Sequence, residues 1–524
     1  MMTAPQARSG TRSGNPLRSV VIVGGGTAGW MAATLMAQRL RQQGVSITLV
    51  ESSAIGTVGV GEATTPAIRD YFREAALDEG EVVRASKATL KLGIRFDGWS
   101  GEETSFFHPF GLYGTPSNDV AFHQYWFKQQ AAGSAVPLGA YSLATALADA
   151  GRMMVPPRPA PDYAFFDWAL HFDAGLYARY LKQVAVARGV RHIDAHVTDV
   201  RRDAETGLIT AIGTTEAGAV TGDLFIDCTG FRSLLLGGAL DVPYVDWREW
   251  LMSDRAVAIP CAHGRPDEIE PFTRAIARQA GWQWRIPLQH RVGNGYVYSS
   301  AHISDDEAAA TLTGTLEGEA LADPNFIRFV TGHRERFWSG NCVALGLAAG
   351  FLEPLESTSI TLIYSGIQRL LELWPDMSFD PALAADYNRI TTLEYERVRD
   401  FLMLHYWANR RPGQPLWDAV RAKALPDKLA HKVRMFASRG RMVRYEWDAF
   451  GDPSWLSMFV GLGIRPDRWD PLADFFTDSQ IGEALERIRA NIAEGVRGAT
   501  GHRAFLEQAF NVRFPTTAAG SRRA

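Results

Sequence analysis

Residues 24–29, GGGTAG, have the spacing G-x-G-x-x-G, which binds the pyrophosphate of a dinucleotide when it joins a strand to a helix. In such a motif Gly24 permits a tight turn, Gly26 lets backbone N–H groups approach the phosphates, and Gly29 lets the helix pack close to the strand. Glu51 stands where a carboxylate would accept hydrogen bonds from a ribose. We therefore expect a bound dinucleotide; the alternative is a βαβ unit without a ligand.

The flanking sequence supplies the elements that would position this motif. Val20–Val23 predict a short buried strand, and the Ala/Met/Leu-rich segment up to about Arg41 predicts the helix that follows. A second strand, Ser46–Val50, leads directly to Glu51. The N-terminus of the intervening helix would carry a partial positive charge that suits a phosphate.

The composition is that of a globular protein with a large core. The chain has 524 residues, of which 46% are hydrophobic and 21% charged, and this length predicts two to four domains. The net charge of −4 gives no indication of binding to nucleic acid or to a membrane. Because Cys228, Cys261 and Cys342 form no C-x-x-C pair, we expect a reducing cytoplasm, no disulfide scaffold and no thiolate metal site.

A second strand-and-turn signal lies late in the chain, at Asp223–Gly230. In flavoproteins built from two dinucleotide domains, an acid-plus-glycine strand end, here Asp227 and Gly230, returns to the FAD site. We therefore predict an α/β fold with an FAD-binding, glutathione-reductase-type Rossmann core, an inserted substrate-facing β-sheet and a mostly helical C-terminal region. The predicted divisions are a disordered arm 1–18, an FAD-binding module with the inserted sheet 19–395, a helical substrate-covering region 396–514 and a disordered tail 515–524.

Several local predictions determine how side chains would be placed. The alternation in LKLGIRF predicts one strand with Lys91 and Arg95 on the same face. The pattern of His171–Arg188 predicts one helix, and Val190–Val200 predicts one strand. The inserted sheet is expected to contain Ala256–Ile259, Trp282–Pro287 and Gly295–Ser300.

Five stretches together resemble the flavin-dependent tryptophan halogenase family, over about residues 19 to 400. The W-x-W-x-I-P and FLEPLEST stretches are far more specific than the glycine motif. The matching stretches are 24–30 (GGGTAGW), 58–64 (VGVGEAT), 90–96 with Lys91 (LKLGIRF), 282–287 (WQWRIP) and 351–358 (FLEPLEST).

The resemblance implies a reaction that needs reduced FAD, O₂ and a chloride or bromide ion. A separate flavin reductase supplies FADH₂, O₂ converts it to a C4a-hydroperoxide, and attack by the halide gives hypohalous acid. The acid passes through a tunnel to Lys91, which either forms a haloamine or donates a hydrogen bond to the acid. Without the resemblance, a surface lysine at a strand edge is the better interpretation of Lys91. Lys87 lacks the LKLGIRF context.

The same resemblance gives further roles to the FLEPLEST stretch and to the residue after it. Glu356 would stabilise the cationic arenium intermediate and help to remove its proton, whereas Glu353 suits a carboxylate that caps the following helix. Ser357 would contact the lysine side of the site and the substrate. The backbone N–H groups of Thr358 and Ser359 would hold the halide at a helix N-terminus. Relatives commonly have glycine at position 359, so this serine could alter the halide preference.

The resemblance also assigns residues to the flavin, the tunnel and the substrate. Trp282 and Trp284 are expected in an aromatic wall between flavin and substrate. The substrate is expected to lie among His108, Phe110, Phe450, Trp455 and Ser357. The flavin is expected to contact Gly24, Gly26, Thr27, Ala28, Gly29, Glu51, Val197, Asp227, Gly230, Leu347 and Ile360.

The C-terminal part departs from relatives that act on free tryptophan, which carry a tyrosine-rich stretch with an acid. Residues 441–450, RMVRYEWDAF, do not match that stretch clearly, and Phe450 takes about the position of a stacking tryptophan. A plain indole, a substituted indole or a tryptophan within a larger molecule is therefore the expected substrate. Two other functions remain open: a flavin monooxygenase that hydroxylates an aromatic directly, and a non-catalytic flavin-binding regulator. A homodimer is left open as well.

Overall fold

The computed structural model of the chain describes residues 14–55 and 61–514. Its core is a six-stranded sheet that is parallel except at one edge. Val20 to Val23 in a central strand are at most 1% exposed, because both faces of the sheet are covered, and this explains their unbroken apolar run. In spatial order the strands are Trp338–Ser339, Cys342–Ala344, Leu224–Asp227, Ser19–Val23, Ser46–Glu51 and Arg191–Asp194.

The inserted sheet has seven strands and confirms the predicted α/β architecture. Its neighbouring strands are antiparallel, except that Thr273–Arg278 runs parallel to Gly93–Asp97. In spatial order the strands are Asn325–Arg328, Arg255–Ala258, Val292–Tyr298, Gly281–Pro287, Thr273–Arg278, Gly93–Asp97 and Ser105–Pro109.

Smaller sheets join these two. One of them consists of Gly61–Ala63, Ala169–Asp173 and Thr89–Lys91, so it places Lys91 beside the large sheet without belonging to it. The others comprise Val197–Arg202 with Ile209–Thr214 and Gly218–Thr221, Tyr244–Asp246 with Gly332–Arg334 and Gly350–Phe351, and Arg152–Met153 with Thr500–Gly501.

Helices cover the sheets and form most of the C-terminal region, as predicted. The helices in the first part of the chain are Thr27–Arg39, Ala67–Glu74, Glu79–Ala85, Phe122–Ala131, Leu143–Asp149, Ala174–Ala187 and Asp305–Thr313. Those in the second part are Ser359–Glu372, Pro381–Trp407, Pro415–Arg421, Asp427–Arg439, Asp452–Gly461, Asp478–Gly498 and His502–Phe510. None of the helices in the described part of the chain is long and apolar enough to span a membrane.

Three of the local predictions were wrong. The stretch LKLGIRF is two strands in two sheets, because the N–H of Leu92 leaves both ladders and donates to the carbonyl of Pro271 at 2.7 Å. The helix predicted from His171 begins at Ala174, where the carboxylate of Asp173 accepts from the N–H of Leu176 and caps it. His171 therefore lies in a strand.

The predicted strand 190–200 is likewise divided. Its first half, Arg191–Asp194, belongs to the parallel core, and its second half begins a different sheet at Val197. A strand-like alternation of apolar and polar residues does not distinguish one strand from two that pair with different neighbours.

The ends of the predicted divisions also differ from the structure. Leu17 is 1% exposed and the N–H of Met377 donates to the carbonyl of Asn15, so residues 14–18 pack on the fold and do not belong to a disordered arm. The boundary between residues 395 and 396 falls inside the continuous helix Pro381–Trp407. The predictions for residues 1–13 and 515–524 lie outside the described residues.

Candidate active site

A cavity of about 740 Å³ opens at the carboxyl ends of the parallel strands, which is the edge where α/β folds bind ligands. One end lies against the glycine turn, and the other end reaches Trp284 and Ser357. All the residues expected to contact the flavin line this cavity except Gly29 and Asp227; the lining ones are Gly24, Gly26, Thr27, Ala28, Glu51, Val197, Gly230, Leu347 and Ile360.

The glycine turn has the shape that a phosphate group requires. Gly24 has φ of +110°, a conformation that side chains disfavour, and a Cβ on Gly29 would lie 1.9 Å from the carbonyl oxygen of Gly24. A Cβ on Gly26 would meet no described atom within 4 Å. Gly29 thus serves helix packing, whereas Gly26 leaves open space at the N-terminus of the helix Thr27–Arg39, and this cradle fits a dinucleotide.

Two acids expected near the flavin have different surroundings. Glu51 lines the cavity, and its Oε1 lies 2.9 Å from both Lys182 Nζ and His192 Nε2. Asp227 is fully buried, and its carboxylate accepts from the N–H groups of Thr229, Leu235 and Leu236. Asp227 therefore ties the turn together and does not line the cavity. A contact of Asp227 with the flavin remains a prediction.

Lys91 is fully buried, beside the far end of the cavity. Its Nζ donates to the carbonyl of Thr64 at 2.9 Å and to Ser357 Oγ at 2.8 Å, and it lies 5.0 Å from the ring centroid of Phe110. Burial lowers the pKa of Lys91 to about 7, against an opposing effect of the charge on Glu356. Since Ser357 lines the cavity, one hydrogen bond separates the amine from the cavity wall.

Glu356, also buried, is held by two histidines. Its Oε2 lies 3.0 Å from His108 Nδ1, and its Oε1 lies 2.8 Å from His405 Nε2. Burial alone would raise the pKa of Glu356, but the charges and hydrogen bonds of the two histidines lower it to about 2. Glu356 is therefore an anion at neutral pH. Sequence reasoning missed His405, which no motif marks.

Glu353 does not cap a helix, contrary to the expectation. Its side chain makes no cap hydrogen bond; instead, Oε2 accepts from Trp282 Nε1 at 3.0 Å and from the hydroxyl of Tyr406. Burial raises the pKa of Glu353 to about 7. The two glutamates of FLEPLEST therefore differ in acidity, because two histidines stabilise the carboxylate of Glu356 and none contacts Glu353 among the described residues.

The segment after Glu356 forms a turn that ends in a helix N-terminus. Ser357 has φ of +61°, and the helix Ser359–Glu372 begins two residues later, with Thr358 as its N-cap. The first N–H groups of a helix have no intrahelical acceptor, and they carry partial positive charge. Ser359 lines the cavity, and the buried hydroxyl of Thr358 has no hydrogen-bond partner among the described residues.

An aromatic cluster lies on the other side of Glu356 and brings together the residues predicted for the substrate. Phe450 stacks on Phe401 with ring centroids 3.8 Å apart, and Trp455 meets Phe401 edge-on at 4.9 Å. The His108 ring lies 6.0 Å from Phe401 and 6.4 Å from Phe110. Phe401, from the helix Pro381–Trp407, is the member that sequence reasoning missed.

The two tryptophans of WQWRIP are neighbours, with ring centroids 6.2 Å apart. Trp284 lines the cavity, whereas Trp282 lies behind it and bonds to Glu353. In the VGVGEAT stretch, residues 58–60 lie outside the described residues. The strand Gly61–Ala63 lines the cavity, and the carbonyl of Thr64 binds Lys91.

Comparisons with known proteins agree with this geometry. The family model for tryptophan halogenase matches residues 19–478. Tryptophan 6-halogenase SttH of Streptomyces toxytricini is 38% identical over 495 residues, which cover 87% of this chain and 92% of that protein.

Two solved structures are closely similar. One is BrvH, a flavin-dependent halogenase from Brevundimonas sp. BAL3, with a TM-score of 0.90 and 48% identity over 94% of this chain and 98% of that one. The other is Xcc4156, a flavin-dependent halogenase from Xanthomonas campestris, with a TM-score of 0.92 and 41% identity over 95% of this chain and 100% of that one. The chain therefore belongs to the flavin-dependent tryptophan halogenase family and is a flavin-dependent halogenase.

Proposed function

We propose that this enzyme chlorinates or brominates an indole-like aromatic, with Lys91 delivering the halogen and Glu356 serving the cationic intermediate. The observation that carries the proposal is the placement of two consecutive residues. Ser357 lines the flavin cavity and binds Lys91, while Glu356 faces the aromatic cluster through His108. The segment thus links the place where an oxidant would form to the place where an aromatic ring would lie.

The cavity residues would hold FAD, with the pyrophosphate at the glycine turn and the ring system toward Trp284. When bound in its reduced form, as supplied by a separate flavin reductase, FAD would provide, with O₂ and a halide, the hypohalous acid that this chemistry needs. The open space at Gly26 supports that placement of the phosphates.

A halide would bind at the N-terminus of the helix Ser359–Glu372. The N–H groups of Thr358 and Ser359 lie where this helix meets the cavity and have no acceptor among the described residues. The hydroxyl of Thr358, which also has no partner there, offers a further donor. The serine at position 359 retains the N–H that a halide needs.

Lys91 suits either form of halogen delivery because its pKa lies near neutrality. As a neutral amine it would attack the halogen of hypohalous acid: an N–halogen bond forms, the halogen–oxygen bond breaks, and the departing hydroxide takes the amine proton to give water. As an ammonium it would donate a hydrogen bond to the oxygen of the acid and make the halogen more electrophilic. Both forms are populated near pH 7.

Glu356 would act after the ring has been halogenated. The arenium ion carries positive charge, which an anionic carboxylate in a buried site stabilises. An arenium ion is a strong acid, so even a carboxylate with a pKa of about 2 is basic enough to take its ring proton. His108 and His405 hold the carboxylate in one orientation.

The substrate would be an aromatic without a free amino-acid group. Three polar side chains of residues 441–450 are engaged with protein partners: Tyr445 bonds to His431, Asp448 to Lys432, and Glu446 to Arg389 and Trp447. An amine and a carboxylate would have to displace these contacts. The cluster around Phe401 offers ring faces and edges.

The test supplies the purified protein with FAD, a flavin reductase, NADH, O₂ and bromide or chloride, and offers indole and L-tryptophan separately. We expect halide-dependent halogenation of indole, seen by its isotope pattern in mass spectrometry, at a higher kcat/KM than for tryptophan. Addition of one oxygen without halide would establish a monooxygenase instead. An unchanged panel of aromatics would refute enzymatic halogenation of this class. Lys91→Ala should abolish the product and retain flavin binding; Lys87→Ala is the matched control.

A further inference from the structure

His405 occupies an unusual position for a histidine. It is fully buried on the helix Pro381–Trp407, and both of its ring nitrogens face oxygen atoms. Nδ1 lies 2.7 Å from the carbonyl oxygen of Phe401, one turn earlier in the same helix. Nε2 lies 2.8 Å from Glu356 Oε1. The rest of its surroundings is aromatic, with Phe96 at 5.2 Å and Trp99 at 6.1 Å between ring centroids.

The count of protons follows from these partners. A backbone carbonyl can only accept, so Nδ1 of His405 must carry a proton. The second contact joins Nε2 to a carboxylate, and it is a hydrogen bond only if one proton lies between the two groups. His108 also faces this carboxylate, within 3.3 Å of both oxygens, which favours the anionic form of Glu356. The proton therefore resides on His405.

We propose that His405 is a buried imidazolium that neutralises Glu356, and that it thereby allows Lys91 to exchange between ammonium and amine during halogen delivery. His405 is a positioning residue, since it acts through Glu356 and is not among the residues that line the flavin cavity. The proposal rests on the proposed function for its consequence in catalysis. The charge state of His405 stands on the geometry alone.

Several titratable groups surround Lys91 and Glu356. Three of them face Glu356: Lys91 on the strand Thr89–Lys91, His108 on the strand Ser105–Pro109, and His405 on the helix Pro381–Trp407. Behind Lys91, His171 is buried, and its pKa is well below the ordinary value through burial and the charge on Lys91. Glu353 is the remaining carboxyl group of the FLEPLEST turn, and Tyr406 and Trp282 bind it.

An uncompensated Glu356 would hold Lys91 as an ammonium. The charge on Glu356 already opposes the effect of burial on Lys91. Were His405 neutral, the negative charge of Glu356 would be less compensated and would act more strongly on a buried amine in a medium of low dielectric constant, so the amine would keep its proton to higher pH. The imidazolium makes the pair with Glu356 neutral, so burial decides the state of Lys91.

The first test measures the charge of His405 directly and needs no activity. The full chain is labelled with ¹⁵N in the histidine rings, and long-range ¹⁵N–¹H spectra are recorded from pH 6 to 9; His405→Gln identifies the signal among the 12 histidines. We expect both ring nitrogens of His405 to show imidazolium shifts at pH 7.5. A neutral tautomer pattern for His405 at this pH overturns the proposal.

The second test measures the consequence for Lys91 through the pH profile of kcat/KM for bromination. In His405→Gln the amide can still donate to Glu356 but carries no charge. The apparent pKa of Lys91 in the kcat/KM profile should therefore rise by about one pH unit, which is a tenfold change in proton affinity. His405→Phe removes the donor as well and should raise this apparent pKa at least as far. If a folded variant has an altered kcat but the same apparent pKa, the charge of His405 does not control the ionisation of Lys91. If the spectra show the imidazolium but the wild type halogenates no aromatic offered, the proposed function is refuted and the charge assignment of His405 stands.

Discussion

Replacing Lys91 by methionine should abolish halogenation and, at the same time, stabilise the protein most at low pH. Lys91 has a pKa of about 7 in the folded chain, against 10.5 for an ordinary lysine. Between these values the unfolded chain binds more protons than the native chain, so the contribution of Lys91 to stability rises with pH in this window. Below pH 7 the native protein bears the full cost of the buried ammonium.

The magnitude follows from the two pKa values. Integrating the difference in bound protons from pH 6 to pH 9 gives the wild type a gain of roughly 3 kcal/mol in the free energy of unfolding, relative to a variant without the amine. The methionine variant also loses the hydrogen bonds to Thr64 and Ser357, a penalty that does not change with pH. The pH-dependent part therefore isolates the ionisation of Lys91.

The assay is urea unfolding of Lys91→Met and of the wild type at several pH values between 6 and 9. The matched control is Lys87→Met, because Lys87 is exposed and lies four residues earlier. The free energy of unfolding of Lys91→Met relative to that of the wild type should fall by roughly 3 kcal/mol from pH 6 to pH 9. The same difference for Lys87→Met should stay constant. A pH-independent difference for Lys91→Met would mean that this lysine is not held near neutrality.

Three further variants separate the parts of the site. Glu356→Gln should lower kcat for bromination by about 10²-fold or more at unchanged affinity for FAD; near-normal turnover would exclude a role for the carboxylate. Gly26→Ala should weaken FAD binding about tenfold or more, since its Cβ would fill the open cradle, at a cost of no more than about 1 kcal/mol in stability. Gly29→Ala should instead lower the unfolding midpoint, because its Cβ would meet the carbonyl oxygen of Gly24. The reverse pattern in titrations and melts would refute the assignment of the two glycines. Phe450→Ala should raise KM for indole roughly tenfold by removing a stacked ring; an unchanged KM would place the substrate elsewhere.

Much of the cofactor site could be predicted from the sequence because its determinants are local. The glycine spacing, the apolar strand Ser19–Val23 and the helix Thr27–Arg39 are encoded within about twenty residues, and the structure has them at nearly the predicted bounds. Motif resemblance also selected Lys91 and Ser357, which the structure joins by a hydrogen bond. Roles for these residues in catalysis remain predictions.

The errors occurred where pairing partners decide local structure. Nothing in the letters LKLGIRF indicates that the N–H of Leu92 donates to the carbonyl of Pro271 and divides the strand. A helix prediction begun at His171 failed because a strand competes for the same residues. Such outcomes depend on which segment lies alongside, and apolar periodicity does not report that.

The sequence by itself predicted a dinucleotide site at the glycine turn and, by resemblance, identified Lys91 and Glu356 as the candidate lysine and carboxylate of a halogenase. Only the tertiary structure decided their chemistry. It brings His108 and His405, which are 248 and 49 residues from Glu356 in the chain, to the two sides of one carboxylate. Burial then lowers the pKa of Lys91 to about 7, and the two histidines lower that of Glu356 to about 2. The physical reason is that a pKa depends on solvation and on neighbouring charge, and both are properties of the folded chain.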